Sequence, residues 1–325
     1  MSHSRLTDRN LALEAARVTE AAARAASRWM GRGDDRAADQ AALEAMHIAL
    51  QGLSINGVIR IGESPGKDSD KLCVGDKAGN GEGPKMDVAL MPVEGPAIVA
   101  KGEPNALSIV AMTDENGFLN VPDIYMDKIA VGGGLPDDLV DLNAEPAENL
   151  KELAKARKVD VGELVVCILD RPRHIQLIAK VREAGARIML IGDGDVSGVI
   201  ATSWPESGVD AYMGIGGAPQ GVLAAAALAC VGGQMQGRLV FRKDEERRAA
   251  TDAGIVDLDR KYALNDMASG MVTFAATGIT SGAILKGVDR KHGVDLTHSI
   301  VMRSKTSTVR FVEAYHNFDL YRNES

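Results

Sequence analysis

The feature that most constrains the fold is an alternation of strand and helix signals over the second half of the 325-residue chain. Short apolar runs alternate there with longer segments of helical periodicity. The predicted elements are, in order, a strand at Leu164–Leu169, a helix at His174–Ala184, a strand at Arg187–Ile191, a helix from Val196, a strand at Val209–Met213 and a helix at Pro219–Cys230. Because βαβ units place their strands in parallel, this pattern predicts an α/β fold whose C-terminal lobe has a largely parallel sheet.

A second lobe is predicted from the first half of the chain. Its elements are a helix from Thr7 to about Met30, a helix at Ala41–Leu50, and strands at Val58–Ile61, Val88–Leu90 and Leu107–Met112. Single cores stop growing at about 250–300 residues, so two lobes are expected in a chain of this length. We place the N-terminal α/β lobe at 1–150 and the C-terminal α/β lobe at 151–325, joined through the acidic segment Leu135–Asn149, where periodicity is lost. The C-terminal Thr306–Tyr321 portion is expected to supply a closing strand and a tail.

The composition limits both the partners and the compartment. With 45% apolar and 25% charged residues, the chain is typical of a folded globular protein. A net charge of -8 disfavours nucleic acid as a partner, because binding to a phosphate backbone needs concentrated Lys and Arg. The three cysteines lack metal-type spacing and form an odd set, which favours a reducing cytoplasm. No signal peptide or membrane span is predicted.

Two loops at the carboxyl ends of the predicted parallel strands carry charged side chains, and α/β sheets bind ligands at those ends. Arg171 and Arg173 leave one strand together. Their guanidinium groups match phosphate oxygens, although a pair of surface ion-paired arginines is the other interpretation. Asp193 and Asp195 flank Gly194 in the next loop. They predict contacts to sugar hydroxyls or to a cation, or else an ordinary turn.

A third loop, Gly214–Gly221, leads from a strand into a helix that begins near Pro219. Its amides are suited to an anion, and a tight turn with close packing is the alternative. The loop lacks the Gly-x-Gly-x-x-Gly spacing of dinucleotide sites, and no P-loop sequence occurs in the chain. The six histidines lack the i, i+4 spacing of a zinc face. A nicotinamide cofactor, a P-loop kinase and a zinc site are therefore disfavoured.

Eight short phrases are spaced along the chain from about residue 8 to residue 316. They are Arg17-Val18-Thr19-Glu20, Trp29-Met30-Gly31-Arg32-Gly33-Asp34, Ile61-Gly62-Glu63, Val121-Pro122-Asp123-Ile124-Tyr125-Met126-Asp127-Lys128, Arg171-Pro172-Arg173-His174, Asp193-Gly194-Asp195, Gly216-Gly217-Ala218-Pro219 and Phe274-Ala275-Ala276-Thr277-Gly278-Ile279. In this order and spacing they resemble the class II fructose-1,6-bisphosphatase family, which is part of the lithium-sensitive phosphatase superfamily.

The resemblance implies a layered αβαβα sandwich of two lobes, assembled as a homodimer or homotetramer. It also implies a phosphomonoesterase of carbohydrate metabolism, in gluconeogenesis, that removes the 1-phosphate of fructose 1,6-bisphosphate with Mn²⁺ or Mg²⁺. Acidic loops suit this chemistry. Cations neutralise the phosphate, lower the pKa of a bound water and stabilise the departing alkoxide.

The resemblance also assigns site residues. Asp39 and Glu63 match the family's first metal site, and Glu94 matches one ligand of its second. These three are the expected metal ligands and catalytic residues. The residues expected to bind the substrate are Glu94, Gly95, Tyr125, Arg171, Arg173, Asp193, Asp195 and Gly217.

The departures from the family pattern fall on the reaction centre. Where the family has Asp-Pro-Ile/Leu-Glu-Gly-Thr, this chain has Met91 in place of the aspartate and Pro96 in place of the threonine. Pro65 and Gln220 replace two further carboxylates. A thioether is a poor ligand for a hard cation. Losing one or two transition-state contacts at about 3–4 kcal/mol each would slow hydrolysis by roughly 10²–10⁵-fold.

Two hypotheses follow for the activity. The first is a sugar-phosphate phosphatase, acting on fructose 1,6-bisphosphate or a related sugar bisphosphate, with a weakened second metal site and with Asp68 and Asp70 as substitutes for the lost carboxylates. The second is a paralogue that binds a sugar phosphate but has lost phosphatase activity, and serves an isomerase-like or regulatory role. Family membership favours the first hypothesis, and the altered centre beside retained binding loops favours the second.

Overall fold

The structure is a computed structural model that describes residues 4–64, 70–291 and 293–317. The chain folds into two compact units. The first extends to Met112 and resumes at Thr273, and the second comprises Thr113–Val272. Each unit contains one β-sheet with helices packed on it. The predicted class, an α/β protein of layered sheets and helices, is confirmed.

The described part of the chain contains the following elements. The strands are β1 (Asn56–Ile61), β2 (Lys77–Ala78), β3 (Lys85–Glu94), β4 (Leu107–Asp114), β5 (Tyr125–Val131), β6 (Val165–Leu169), β7 (Arg187–Ile191), β8 (Ala211–Gly217), β9 (Gln234–Val240), β10 (Tyr262–Ala263), β11 (Thr273–Gly278), β12 (Asp289–Lys291), β13 (Val294–Arg303) and β14 (Thr308–Asn317). The helices are α1 (Ser4–Ser27), α2 (Asp35–Gln51), α3 (Pro96–Lys101), α4 (Pro146–Arg157), α5 (Ile175–Glu183), α6 (Asp195–Ala201), α7 (Ala218–Val231), α8 (Asp244–Asp252) and α9 (Leu264–Met267). Among these described helices, none has the length and apolar content needed to cross a membrane.

The sheet of the first unit has eight strands in the order β12-β13-β11-β4-β3-β1-β2, and β14 pairs with β13. Strands β1 and β3 are parallel, whereas β11 is antiparallel to both β4 and β13. The last four strands of the chain thus complete a sheet that the first four begin.

Helix α1 packs on α2, β11 and β13 through a stripe of mostly small side chains. The fully buried positions follow helical spacing and are Ala15, Val18, Thr19, Ala22, Ala23 and Ala26. Helix α2 begins earlier than the predicted Ala41, because Asp34 caps it. The Asp34 side chain accepts a hydrogen bond from the backbone N–H of Ala37 at 2.9 Å.

A chain of buried hydroxyl groups fixes α1 on the sheet. The Oγ1 atoms of Thr19 and Thr277, on α1 and β11, are 2.7 Å apart, and Thr277 Oγ1 is 2.8 Å from Ser299 Oγ on β13. Thr19 donates its hydroxyl hydrogen to the carbonyl oxygen of Ala16, so Thr277 must donate to Thr19. The three hydroxyl side chains are fully buried, and Ser299 Oγ is also 3.5 Å from Oε1 of Glu20.

The sheet of the second unit has six strands in the order β10-β9-β5-β8-β6-β7. Strand β6 is parallel to β7 and to β8, as the alternation predicts. Strand β5 is antiparallel to β8 and β9, and β9 is antiparallel to β10. The parallel part is therefore limited to the three strands that α5 and α6 connect. Helices α4 and α5 cover one core of this unit with Leu150, Leu153 and Val181.

The units differ in their boundaries from the lobes 1–150 and 151–325 that the sequence predicts. Residue 150 lies inside α4, and the segment Leu135–Asn149, expected as the connection, lies within the second unit. The chain enters that unit after β4 and leaves it before β11, because β11 pairs with β4. Return pairing of this kind leaves no local mark in the sequence.

Replacing Thr277 by valine removes the central hydroxyl while it keeps the shape of the side chain. Thr19 and Ser299 then lose a buried partner, so we expect the free energy of unfolding to fall by about 1–3 kcal/mol. Chemical denaturation followed by circular dichroism measures the change. Thr277→Ser is the matched control, because it keeps the hydrogen bonds and loses one methyl group. An unchanged denaturation midpoint in Thr277→Val would contradict the role of the hydroxyl chain.

Candidate functional site

The carboxyl ends of β6, β7 and β8 meet at one edge of the second sheet, because these strands are parallel. Strand β5 is antiparallel to β8, so its first residue, Tyr125, lies opposite Gly217 at the same edge. The charges of Arg171 and Arg173 act there on Asp193. The structure thus brings together, within the second unit, the predicted residues Tyr125, Arg171, Arg173, Asp193, Asp195 and Gly217.

Two guanidinium groups lie over the ring of Tyr125. The Cζ atom of Arg173 is 4.7 Å from the ring centroid, and that of Arg242 is 4.2 Å from it. Both distances are within the roughly 6 Å range of cation–π contacts. Arg242 donates from Nε and Nη2 to Oε1 of Glu246, at 2.9 and 2.6 Å. The charge of Arg242 is therefore compensated within the protein.

Neither Arg171 nor Arg173 forms an ion pair within the described chain. Arg173 donates its Nε–H to the carbonyl oxygen of Ile215 at 2.9 Å, and Arg171 donates from Nη1 to the carbonyl oxygen of Asp170 at 3.1 Å. Both acceptors are neutral, so the two positive charges remain uncompensated by direct ion pairs. Two such groups on one loop suit the oxygens of a phosphate. The alternative of surface ion-paired arginines does not describe this loop.

A buried ion pair joins two of the site loops. Lys128 on β5 is fully buried and donates to Oδ2 of Asp195, the first residue of α6. The same ammonium group donates to the carbonyl oxygen of Gly217 at 3.0 Å. It thus neutralises the Asp195 carboxylate and fixes the end of β8 at once.

The Asp195 side chain, which is held by Lys128, approaches β8 so closely that Gly216 has no room for a side chain, whereas Gly217 faces the flexible end of Gln220. A Cβ atom added to Gly216 would lie 1.7 Å from Oδ2 of Asp195, and one added to Gly217 would lie 1.7 Å from Oε1 of Gln220. Neither glycine has a positive φ, so the requirement comes from the neighbouring side chains and not from the backbone conformation. The predicted Gly214–Gly221 loop is in fact the last part of β8 followed by the first turn of α7.

Burial raises the pKa of the Asp193 carboxyl group, and the charge of Asp195 adds to this effect. The backbone N–H of Gly194 and the charges of Arg171 and Arg173 oppose it. Oδ1 of Asp193 accepts the Gly194 N–H at 3.0 Å, which is the turn interaction expected from the Asp-Gly-Asp sequence. The other oxygen leaves Asp193 with acceptor capacity for a ligand hydroxyl.

The residues expected to bind metal lie in the first unit. Asp39 is half-exposed on α2, Glu63 is half-buried after β1, and Glu94 is the buried last residue of β3. Gly95 follows with a φ of 82° and leads into α3. Among residues 4–64, 70–291 and 293–317, no three His, Cys, Asp or Glu side chains form a group able to hold a metal ion.

By ligand type, the three carboxylates suit a hard cation, because Mg²⁺ and Mn²⁺ prefer oxygen donors. By arrangement, the described chain holds no closed three-ligand cluster, so the metal site stays a prediction. Met91 is half-buried on the same strand as Glu94. Pro65 and Asp68 lie outside the described residues. Asp70, the other expected substitute ligand, is exposed.

Comparison with known proteins identifies the class to which this fold and site belong. A family described as "Bacterial fructose-1,6-bisphosphatase, glpX-encoded" matches residues 9–316, and the chain belongs to this class II fructose-1,6-bisphosphatase family. Its relatives include "Fructose-1,6-bisphosphatase 1 class 2" of Escherichia coli (strain K12) and "Fructose-1,6-bisphosphatase class 2" of Shigella flexneri. Each is 41% identical over 324 residues, which cover 96% of this chain and 96% of the relative. The resemblance predicted from the sequence phrases is confirmed.

Three residues of the site edge were not predicted from the sequence. Lys128 pairs with Asp195, Arg242 lies over Tyr125, and His174 is buried behind the arginine loop. A lysine inside an otherwise largely apolar strand was a usable signal for Lys128, because a buried ammonium group needs a partner. Arg242 left no such signal, since its position depends on the register between β9 and β5.

Lys128→Met keeps most of the side-chain volume but leaves the Asp195 carboxylate buried without its cation. We expect the free energy of unfolding to fall by about 3–5 kcal/mol, the usual cost of breaking a buried pair from one side. Thermal or chemical denaturation of the purified variant checks this. The double variant Lys128→Met, Asp195→Asn also removes the unpaired carboxylate charge and should recover part of the lost free energy of unfolding. Equal losses in the single and double variants would contradict the pairing.

Proposed function

We propose that this protein is a sugar-phosphate phosphatase that hydrolyses the 1-phosphate of fructose 1,6-bisphosphate or of a related sugar bisphosphate. Membership of the family and the names of the relatives support the reaction class. One structural observation supports the ligand class. Arg171 and Arg173, which have no ion-pair partner among the described residues, lie with Tyr125 and Asp193 at the edge of the second sheet.

In this proposal the second unit holds the sugar and its remote phosphate. The guanidinium groups of Arg171 and Arg173 bind phosphate oxygens, because charge-assisted hydrogen bonds from a planar fork suit a phosphate. Asp193 and Asp195 accept hydrogen bonds from sugar hydroxyls through the oxygens that Gly194 and Lys128 leave open. The absence of a side chain at Gly217 lets the ligand approach the strand. The family resemblance also assigns substrate contacts to Glu94 and Gly95, which lie in the first unit.

The proposal includes a divalent cation, Mn²⁺ or Mg²⁺, with Asp39, Glu63 and Glu94 as ligands and catalytic groups. Such a cation, when bound, neutralises phosphate charge and favours the ionised form of a bound water. We propose that a second cation site is weakened. The support is chemical: Met91 offers a thioether and Gln220 a neutral amide where the family has carboxylates.

A second candidate is a paralogue that binds a sugar phosphate without hydrolysing it, in an isomerase-like or regulatory role. The observation in its favour is the distribution of the replacements. Met91, Pro96 and Gln220 differ from the family pattern at positions that take part in hydrolysis. Tyr125 and Arg173, in contrast, are identical to the family's sugar-phosphate-binding residues.

We further propose a cytoplasmic homodimer or homotetramer without nucleic-acid or membrane partners. The support for the compartment is that the three cysteines, Cys73, Cys167 and Cys230, are buried thiols. Burial raises the pKa of Cys167 to about 12, so this thiol is inert at neutral pH. The support for a small-molecule partner alone is the net charge of -8, which gives no general attraction to phosphate backbones.

Phosphate release separates the two candidates. We expect purified protein to release phosphate from fructose 1,6-bisphosphate, or from another sugar bisphosphate in a panel, with Mn²⁺ or Mg²⁺ and not with EDTA. The combined variant Met91→Asp, Pro96→Thr, Gln220→Glu should raise the rate by roughly 10²-fold or more, because it returns transition-state contacts. Binding without release, in the presence of either cation and at high protein concentration, would favour the second candidate.

Arg173→Ala tests the ligand class independently of hydrolysis. Loss of charge-assisted hydrogen bonds worth about 1.5–3 kcal/mol should raise the Kd for fructose 1,6-bisphosphate roughly 10–100-fold. Calorimetric titration in EDTA measures the Kd without turnover. Arg182→Ala, an exposed arginine on α5, is the matched control and should leave the Kd unchanged. If both variants bind like the wild type, the arginine loop is not the phosphate site.

A further inference from the structure

His174 closes the loop that carries the two arginines and is itself 1% exposed. Its Nδ1 atom is 2.7 Å from the carbonyl oxygen of Leu169, and its Nε2 atom is 2.8 Å from the backbone nitrogen of Ile215. The side chain therefore spans from the end of β6 to β8. These two hydrogen bonds to the backbone account for the position of the imidazole ring.

The two contacts determine which nitrogen carries the proton. A backbone N–H can only donate, so Nε2 must be the unprotonated acceptor for Ile215. A carbonyl oxygen can only accept, so Nδ1 carries the hydrogen and donates to Leu169. The imidazole is thus neutral with both nitrogens used. Burial is the main cause that lowers the pKa of His174, in agreement with a neutral ring.

The position of the ring depends on a glycine. A Cβ atom added to Gly214 would lie 3.0 Å from Nε2 of His174, closer than an ordinary contact. Gly214 also has a φ of 137°, a backbone conformation that residues other than glycine rarely adopt. The backbone next to Ile215 is therefore shaped to admit the imidazole.

Ile215 on β8 also holds Arg173, the arginine proposed to bind phosphate. Strand β6 pairs with β8 only at Val166 and Cys167, so the backbone groups of Ile215 lie beyond the end of this ladder. His174 takes the N–H of Ile215, and Arg173 donates its Nε–H to the carbonyl oxygen of Ile215. Two side chains from one loop thus replace the missing strand and satisfy both backbone groups.

We propose that His174 is a positioning residue of the phosphate site: its neutral ring holds Ile215, whose carbonyl oxygen orients the Arg173 guanidinium over Tyr125. His174 itself does not contact the ligand. The inference rests on the proposed function only in that the ligand is a phosphorylated sugar. Its effect passes through Arg173, and this route can be tested.

The closest test compares two amides at position 174. Asparagine places its amide near Nδ1 and can reach only Leu169, whereas glutamine places its amide near Nε2 and can reach Ile215. In EDTA, His174→Asn should raise the Kd for fructose 1,6-bisphosphate about 5–10-fold, the worth of one hydrogen bond of about 1 kcal/mol. His174→Gln should bind like the wild type. Equal weakening in the two variants would overturn the proposal.

A double-mutant cycle separates positioning from a general loss of structure. In the Arg173→Ala background, His174→Asn should have no further effect on the Kd, because the group through which it acts is gone. Additive effects would overturn the proposal. The affinity of the wild type should also fall as the pH falls through the pKa of His174 in the folded protein, which burial places below the ordinary value for histidine. The charges of Arg173, Asp127 and Asp195 act on the ring in this range, and His174→Gln should remove its contribution.

A readout without ligand keeps this inference apart from the proposed function. Hydrogen exchange of the Arg173 Nε–H, followed by NMR of protein labelled at arginine, should be slow in the wild type and in His174→Gln and at least several-fold faster in His174→Asn. If the wild type binds no sugar phosphate, the proposed function fails while slow exchange still supports the positioning. Equal exchange rates in the three proteins overturn the positioning of Arg173 by His174, whatever the ligand.

Discussion

The ammonium group of Lys128 can be buried only if protein oxygens replace its water, and this requirement organises the binding edge of the second sheet. The Asp195 carboxylate and the carbonyl oxygen of Gly217 supply those oxygens. One charge on β5 thereby fixes the start of α6 and the end of β8. Gly216 follows from the same constraint, since any larger residue would collide with the Asp195 side chain. The start of α6 and the end of β8 are fixed relative to each other because both bind the ammonium group of Lys128.

Charge compensation also distinguishes the arginines proposed to bind a ligand from Arg242, which has a carboxylate partner. Arg242 lies over Tyr125 but is neutralised by Glu246, whereas Arg173 lies over the same ring and donates only to a neutral carbonyl oxygen. Arg171 likewise donates to a carbonyl oxygen. In a chain with a net charge of -8, two guanidinium groups without ion-pair partners among the described residues suit a discrete anion better than an extended polyanion.

Elements with their own periodicity could be predicted from the sequence, whereas contacts between distant segments could not. The strands and helices from β6 to α7 begin within two residues of their predicted positions, because each carries a local apolar pattern. The pairing of β11 with β4 joins segments more than 150 residues apart. Because of this pairing, the second unit extends from Thr113 to Val272 and does not begin at residue 151. The Lys128–Asp195 pair spans 67 residues and depends on strand register, which no local pattern encodes.

Binding and hydrolysis make separate physical demands on this chain. The contacts that shape the arginine loop run from His174 through Ile215 to Arg173 and Tyr125, and none of these residues is among the proposed metal ligands. Hydrolysis depends on carboxylates, which repel one another when no cation is bound. In the proposed site, neutral residues such as Met91 at carboxylate positions would weaken cation binding and relieve that repulsion at the same time. Because the arginines proposed to bind phosphate are different residues from those carboxylates, a loss of hydrolysis would not by itself remove the proposed sugar-phosphate affinity.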